Sequence, residues 1–378
     1  MKNKILDEFS TRFRTIPSVY ASAGRINLIG EHTDYNGGFV FPGAIDKGIM
    51  AAIAPNETDK IRVFSMDLNE SVEFGFNEND APEQSWARYI FGVCREILKR
   101  GGVIKGFDAV FAGNVPLGAG LSSSAALESC FAFALNDLFN ENSIDKFELA
   151  RIGQSTEHNY CGVNCGIMDQ FASIMGHKGK LMRLDCRSME FEYYPFDPKD
   201  YELVLIDSRV KHELADSPYN KRRASCERVA KRLGLETLRD ADIAMLKAIR
   251  PDISAEDYFR AKFVIEEKDR VLAVCDALNV GDYETVGKKM YETHKGLSED
   301  YEVSCEEIDF LNDIAKEYGV TGSRIMGGGF GGCTINLVKK DLCDNFVKMA
   351  KSRFREKYGH EPKAYPVVIS DGARKIDE

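Results

Sequence analysis

With 378 residues, 44% of them apolar, the chain has material for large buried cores, and its length suits two domains better than one. Sixty acidic against fifty basic residues leave a formal charge of −10, which argues against a nucleic-acid backbone or an anionic membrane as partner. No apolar run approaches the ~18 residues of a membrane span and the first ten residues hold no signal-peptide core, so the expectation is a cytoplasmic protein acting on small molecules, monomeric or weakly self-associating.

In chain order, Ser18 to Gly24 and Phe39 to Pro42 read as short strands flanking a polar insertion, Gly24-Arg25-Ile-Asn-Leu-Ile-Gly30-Glu31-His32-Thr33-Asp34-Tyr-Asn-Gly-Gly38. A guanidinium, two carboxylates and an imidazole between glycines, where a strand opens into a turn, make a site for a polar ligand. Strands are expected at Ile61 to Phe64 and Phe107 to Phe111. Between them Trp86, Tyr89, Ile90, Val93 and Ile97 recur at helical spacing and read as core.

After the second of these strands comes Asn114-Val-Pro-Leu-Gly118-Ala119-Gly120-Leu121-Ser122-Ser123-Ser124, running into an apolar helix that ends near Asn140. Glycines admit an anion close to backbone N–H groups, and the helix points its unpaired donors and positive end at it, which makes a phosphate cradle. No lysine precedes the serines, so this is not a Walker A loop. Taken alone, the serines serve equally well as a helix cap.

Asp145-Lys-Phe-Glu148 has the form of a capping box opening a helix towards Glu157 and His158, and Ile167 to Met175 reads as the next helix. Cys165-Gly166-Ile-Met-Asp169 places one carboxylate at the head of that apolar helix, where an unpaired charge is costly; Arg25 is the candidate partner. A proline-marked stretch between about 185 and 200 separates the expected domains, 1–190 and 191–378. Beyond it come a basic amphipathic helix from Pro218 to Leu233 stopped by Gly234, further helices, and strands at Cys333 to Val338 and Tyr365 to Ile369. The pattern is α+β. Ahead of the Cys333 strand, Gly327-Gly-Gly-Phe330-Gly-Gly332 sets five glycines in six positions, more than a turn needs. The ten cysteines lie mostly singly in apolar stretches and read as free thiols; Cys161 and Cys165 have no second pair nearby with which to form a zinc site.

Gly24 to Gly38 resembles the galactokinase signature almost letter for letter, and the order of the three glycine-rich segments is similar to that of the GHMP small-molecule kinases. The resemblance implies an α+β two-domain GHMP kinase fold: an N-terminal domain like ribosomal protein S5 domain 2, a ferredoxin-like C-terminal domain, and the active site in the cleft between them. It implies phosphorylation of the C1 hydroxyl of α-D-galactose by ATP with Mg²⁺, giving galactose 1-phosphate and ADP; a kinase for N-acetylgalactosamine and a non-catalytic galactose and ATP sensor are the alternatives. By the same resemblance Asp169 is the base and Arg25 its partner, while Glu31, His32, Thr33, Asp34, Gly166, Asp169 and Tyr219 meet the sugar. Gly118, Ala119, Gly120, Leu121, Ser122, Ser123 and Ser124 hold the nucleotide phosphates, Trp86 with Tyr89 lies at the adenine, and Mg²⁺ falls to Ser124 with Glu157, the choice among the three serines staying open. Ile26, where valine is common, and Ala126, where serine is frequent, depart from the pattern without touching this chemistry.

Overall fold

In a computed structural model, which describes residues 1–116, 120–210 and 218–376, the chain opens with α1 (Lys2–Arg12), β1 (Ser18–Asn27), β2 (Phe39–Val40), β3 (Pro42–Pro55), β4 (Ile61–Ser65) and β5 (Glu70–Phe74). It continues through α2 (Ser85–Lys99), β6 (Phe107–Gly113), α3 (Ser123–Phe139), α4 (Lys146–Thr156), α5 (Met168–Met175), β7 (Lys180–Asp185), β8 (Phe191–Pro195) and β9 (Tyr201–Asp207). The remainder is helical up to the last strands: α6 (Pro218–Leu233), α7 (Ile243–Ala248), α8 (Ala255–Asn279), α9 (Tyr283–Lys295), α10 (Glu306–Tyr318), β10 (Gly322–Ile325), β11 (Cys333–Lys339), α11 (Lys340–Tyr358), β12 (Lys363–Val367) and β13 (Arg374–Lys375). Among the described residues no helix is long and apolar enough to cross a membrane.

The first sheet has the order β13-β1-β3-β6-β4-β5, with β4 and β6 parallel and its other pairs antiparallel. Both of its central faces are apolar, so alternation along the strands serves two cores. Ala51 and Ile53 of β3 and Ala109 and Phe111 of β6 pack with α2 to α5. Ala52, Ala54, Val110 and Ala112 face the opposite way, onto Ile5 and Phe9 of α1. A slip of one residue would exchange the two sets, which fixes the register.

The second sheet, β10-β11-β9-β12, is antiparallel and lies between two helix pairs. Leu203 and Leu205 of β9 meet Val271 and Val274 of α8 and Val286 and Met290 of α9, whereas Val204 and Ile206 meet α10 and α11. That is why residues 203–206 read as an unbroken apolar run. The first of these two cores also takes in Ile26, Leu28, Ile29, Phe39, Phe41 and Leu121, so the halves of the chain share one apolar body beneath the polar insertion. A third sheet, β2-β7-β8, flanks it, and β13 returns the chain to pair with β1.

One expected helix changes form. Asp145 caps α4 by accepting from the Phe147 and Glu148 N–H groups, but α4 stops at Thr156 and widens into a π-helical turn, Glu157–Cys161, closed by left-handed Gly162. Such turns recur at functional sites because the wider turn re-aims a side chain.

Candidate active site

The site begins with an irregularity in β1. Its pairing with β3 shifts register between Ala23 and Arg25, a bulge of the kind that redirects a side chain at the end of a strand. Gly24 at the bulge permits a close approach: a Cβ there would lie 2.7 Å from the Leu121 carbonyl oxygen, which also accepts from the Arg25 N–H at 3.2 Å. The strand and the phosphate loop therefore meet backbone to backbone.

Arg25 is buried and joins two of the predicted motifs. Its Nε donates to Asp169 Oδ1 at 2.8 Å and Nη2 to Oδ2 at 3.0 Å, the bidentate geometry of a strong pair, while Nη1 donates to the Gly120 carbonyl. Asp169 lies in the first turn of α5, and its side chain keeps 29% exposure against 5% for Arg25, so the carboxylate is the more open member of the pair. Ser122 donates to Asp169 Oδ2, and Ser124 donates to Glu157 Oε1 at 2.9 Å. Gly118 and Ala119 lie outside the described residues.

The polar insertion is tied to the other motifs at each of its charged positions. Glu31, fully buried, accepts from the Gly327 N–H at 2.9 Å and from Arg324 Nη2 at 3.1 Å. Asp34 lies so near Gly166 that a Cβ there would stand 1.7 Å from Asp34 Oδ2, which explains the glycine in residues 165–169. Gly120 and Gly327 also face one another: a Cβ on Gly120 would lie 3.5 Å from the Met326 carbonyl oxygen. The insertion, the phosphate loop, the Asp169 helix and the third glycine loop thus converge on one place.

Thr33 was expected at the sugar but is fully buried, with Oγ1 2.9 Å from the Gly30 oxygen and 2.6 Å from that of Phe39; it closes the turn presenting Asp34. Tyr219 opens α6, and its side chain lies outside the described residues. Trp86 is half-buried on α2, donating to Glu70 Oε2 at 2.7 Å with its ring 5.5 Å from that of Phe111. Tyr89, one turn on, faces the Glu157 end of the site: burial and then the Glu157 carboxylate push its phenol up.

Comparison with known proteins decides the family. Residues 7–55 match the galactokinase galactose-binding signature, residues 88–177 the GHMP kinases N-terminal domain and residues 275–355 the GHMP kinases C-terminal domain. A galactokinase of Clostridium acetobutylicum is 40% identical with 99% of each chain covered, and one of Thermosipho africanus is 41% identical over 93% of this chain and 98% of the other. The chain belongs to the galactokinase family. The crystal structure of Lactococcus lactis galactokinase complexed with galactose superposes with a TM-score of 0.93 at 34% identity, covering 98% of each chain. Methanococcus jannaschii mevalonate kinase, at 18% identity and a TM-score of 0.67, shares the fold. The two mixed layers are accordingly the two-domain GHMP kinase fold.

Within this galactokinase-family framework the electrostatics separate the acids by environment. Burial, with Asp169 and Glu31 adding like charge, pushes Asp34 up to about 6 although its residue is only half-buried. Glu157 is raised mainly by burial and further by Asp169, its bond from Ser124 opposing. Glu128, fully buried in α3, is raised well above the ordinary range by burial and then by Glu157; Gln170 donates to its Oε2 at 3.1 Å. These carboxylates crowd where a cation would be favoured. His32 is held down to about 3, first by burial and then by the Arg222 and Arg324 charges, against a hydrogen bond to the Gly328 backbone. It is therefore a neutral ring that joins the insertion to the glycine loop, with Nδ1 2.7 Å from Tyr35 Oη and that oxygen 2.8 Å from Tyr301 Oη.

Three supporting residues escaped the sequence reading. Arg324, with no exposure, donates to the Leu28 oxygen at 2.8 Å, to the Asn27 and Ile325 oxygens and to Glu31, fixing the end of β1 against the glycine loop. Glu267 of α8 is fully buried and accepts from the Gly30 N–H at 2.8 Å, Arg270 Nε at 2.6 Å and Thr293 Oγ1 at 2.8 Å. Tyr301 follows a second π-helical turn, Gly296–Asp300. Arg324 stood in view at the head of the glycine run; Glu267 lies in a long helix with charges on every side and carries no local signal.

Proposed function

We propose that the chain transfers the terminal phosphoryl group of ATP to the C1 hydroxyl of galactose, releasing galactose 1-phosphate and ADP. The observation that carries this reading is the double grip of Arg25, which holds the Asp169 carboxylate with one edge and the phosphate-loop carbonyl of Gly120 with the other. Base and nucleotide cradle are thereby set in one frame. The sugar hydroxyl gives its proton to Asp169 as its oxygen bonds to the γ-phosphorus, and the bond from that phosphorus to the departing ADP oxygen breaks. A loose transition state asks for alignment and charge stabilisation more than for a strong base, and a buried guanidinium beside the carboxylate supplies both.

Asp34 and Glu31 offer the acceptors that tell one hydroxyl direction from another, with Gly166 and Tyr219 completing the sugar wall. The backbone of residues 118–124 takes the nucleotide phosphates, and Trp86 with Tyr89 borders the base. The donor set of Ser124 and Glu157, all hard oxygen amid raised carboxyls, fits Mg²⁺. When bound there, the ion neutralises phosphate charge. We place the division of labour at 1–190, with sugar turn, cradle and base, and 191–378, with the glycine loop.

ADP release measured with galactose, N-acetylgalactosamine, glucose and arabinose tests the reading. Galactose is expected to give the highest kcat/KM. No galactose-dependent release, or a preference for another of the four, overturns it.

A further inference from the structure

Ser122 stands immediately before α3, where a serine ordinarily turns its hydroxyl onto a backbone N–H two or three residues ahead. Here its side chain makes no capping bond, and its backbone is left-handed at φ 56° and ψ 56°, a conformation disfavoured for a residue with a Cβ. Strain of this kind persists where the surroundings impose it, and it clusters at functional sites. The hydroxyl donates instead to Asp169 Oδ2. The side-chain cap is thus withheld from the first-turn N–H groups, leaving them for an anion, and the side chain is assigned to the base.

An acceptor count on Asp169 shows what that donation does. Each carboxylate oxygen offers two lone pairs. Among the described residues Oδ2 receives Arg25 Nη2 at 3.0 Å and the Ser122 hydroxyl, whereas Oδ1 receives only Arg25 Nε at 2.8 Å. One oxygen is full and the other keeps one position open. Two residues further along, Ser124 faces Glu157, so neighbouring hydroxyls of one loop serve different carboxylates.

We propose that Ser122 is a positioning residue for phosphoryl transfer: by occupying Oδ2 it leaves Oδ1 as the one oxygen of Asp169 open to the sugar hydroxyl. The sugar O–H bond then breaks towards Oδ1 while its oxygen forms the bond to phosphorus, and ADP departs with the electron pair of the cleaved P–O bond. The inference rests on the assignment of Asp169 as base made above.

Ser122→Ala and Ser122→Gly test it, the second because glycine accepts the left-handed backbone without a hydroxyl. Loss of a hydrogen bond to a charged group predicts a fall in kcat of about tenfold or more for both variants, with the KM values for galactose and ATP each within about twofold of wild type. Wild-type kcat in Ser122→Gly overturns the proposal, because the backbone rather than the hydroxyl would then matter. So does a tenfold rise in KM for ATP at unchanged kcat, which would assign the hydroxyl to the nucleotide. A double-mutant cycle in denaturant unfolding, Ser122→Ala against Asp169→Ala, reads the contact without turnover: non-additive stabilities support it and additive ones overturn it. Failure of the wild type to release ADP with galactose would strike the proposed reaction and leave this cycle to judge Ser122.

Discussion

Gly166→Ala probes the sugar wall while sparing the rest of the molecule. A methyl group there falls 1.7 Å from Asp34 Oδ2, 2.4 Å from its Cγ and 3.0 Å from its Cβ, so the carboxylate oxygen must retreat by about 1.7 Å to regain an ordinary 3.4 Å contact. Gly166 is not among the positive-φ glycines, so alanine brings no left-handed backbone strain, and the atoms in its way all belong to the Asp34 side chain, from its carboxylate down to its Cβ. Stability should change little, the ~0.4–1 kcal/mol that a less flexible unfolded chain contributes being set against the cost of turning Asp34 aside. Function should not be spared. With Asp34 as the sugar acceptor proposed above, a displacement of that size would break a charge-assisted hydrogen bond to the sugar, about 1.5–3 kcal/mol, or roughly 10- to 150-fold in kcat/KM for galactose. ADP-release kinetics over a galactose series at saturating ATP, with the KM for ATP and a thermal melt alongside, provide the assay. In an Asp34→Ala background the same change should add little, because the 1.7 and 2.4 Å contacts are gone and only the 3.0 Å contact to the Cβ remains. A galactose kcat/KM within threefold of wild type would refute the reasoning, and a full loss persisting without Asp34 would transfer the effect to the Gly166 backbone.

The raised carboxyl of Asp34 gives a pH signature. Galactose affinity by calorimetry should be level above pH 7 and weaken below about 6, by about tenfold at pH 5, as the acceptor takes a proton; constant affinity from pH 5 to 8 would count against its role. The same group makes stability fall as pH rises from 3.8 to about 6, because across that window the folded chain binds the proton more tightly than the unfolded one. Among catalytic changes, Glu157→Gln at saturating Mg²⁺ should lower the turnover rate more than Asp169→Asn, since alignment outweighs base strength in a loose transition state; the reverse order would refute that ranking. Glu267→Ala takes the acceptor from the Gly30 N–H, Thr293 Oγ1 and Arg270 Nε in the core, while Arg270 keeps Glu266 and the Phe263 oxygen, and equilibrium unfolding should show a loss of about 1–3 kcal/mol. A loss under 1 kcal/mol would mean that water or a neighbour replaces it.

Elements with strong periodicity were legible in the sequence: the Trp86 to Ile97 helix, the capped helix at Asp145 and the apolar strand at Cys333 all lie where their patterns put them. Weak or short strands were not. β8 is largely exposed and ends in proline, β10 has four residues ahead of a glycine run, and β13 has two, so their pairing is set by partners distant in sequence. The convergence of the glycine-rich motifs could be anticipated because each motif carries its ligand chemistry locally. What holds them together could not: Arg324 and Glu267 act through backbone atoms of residues more than two hundred positions away, and no window of sequence contains both ends of such a bond. The separate partners of Ser122 and Ser124 likewise go with the left-handed turn at Ser122, which composition does not announce.

The apolar body shared by the two halves has a mechanical consequence. Val271, Val274 and Ile335 pack in one cluster with Ile26, Leu28 and Phe41, so wholesale rotation of one half against the other would tear open a continuous interior rather than slide along a wet seam. Hinging is thereby discouraged. The rates of substrate capture and product escape should accordingly respond to substitutions above that floor far more than to any stiffening of the join beneath it.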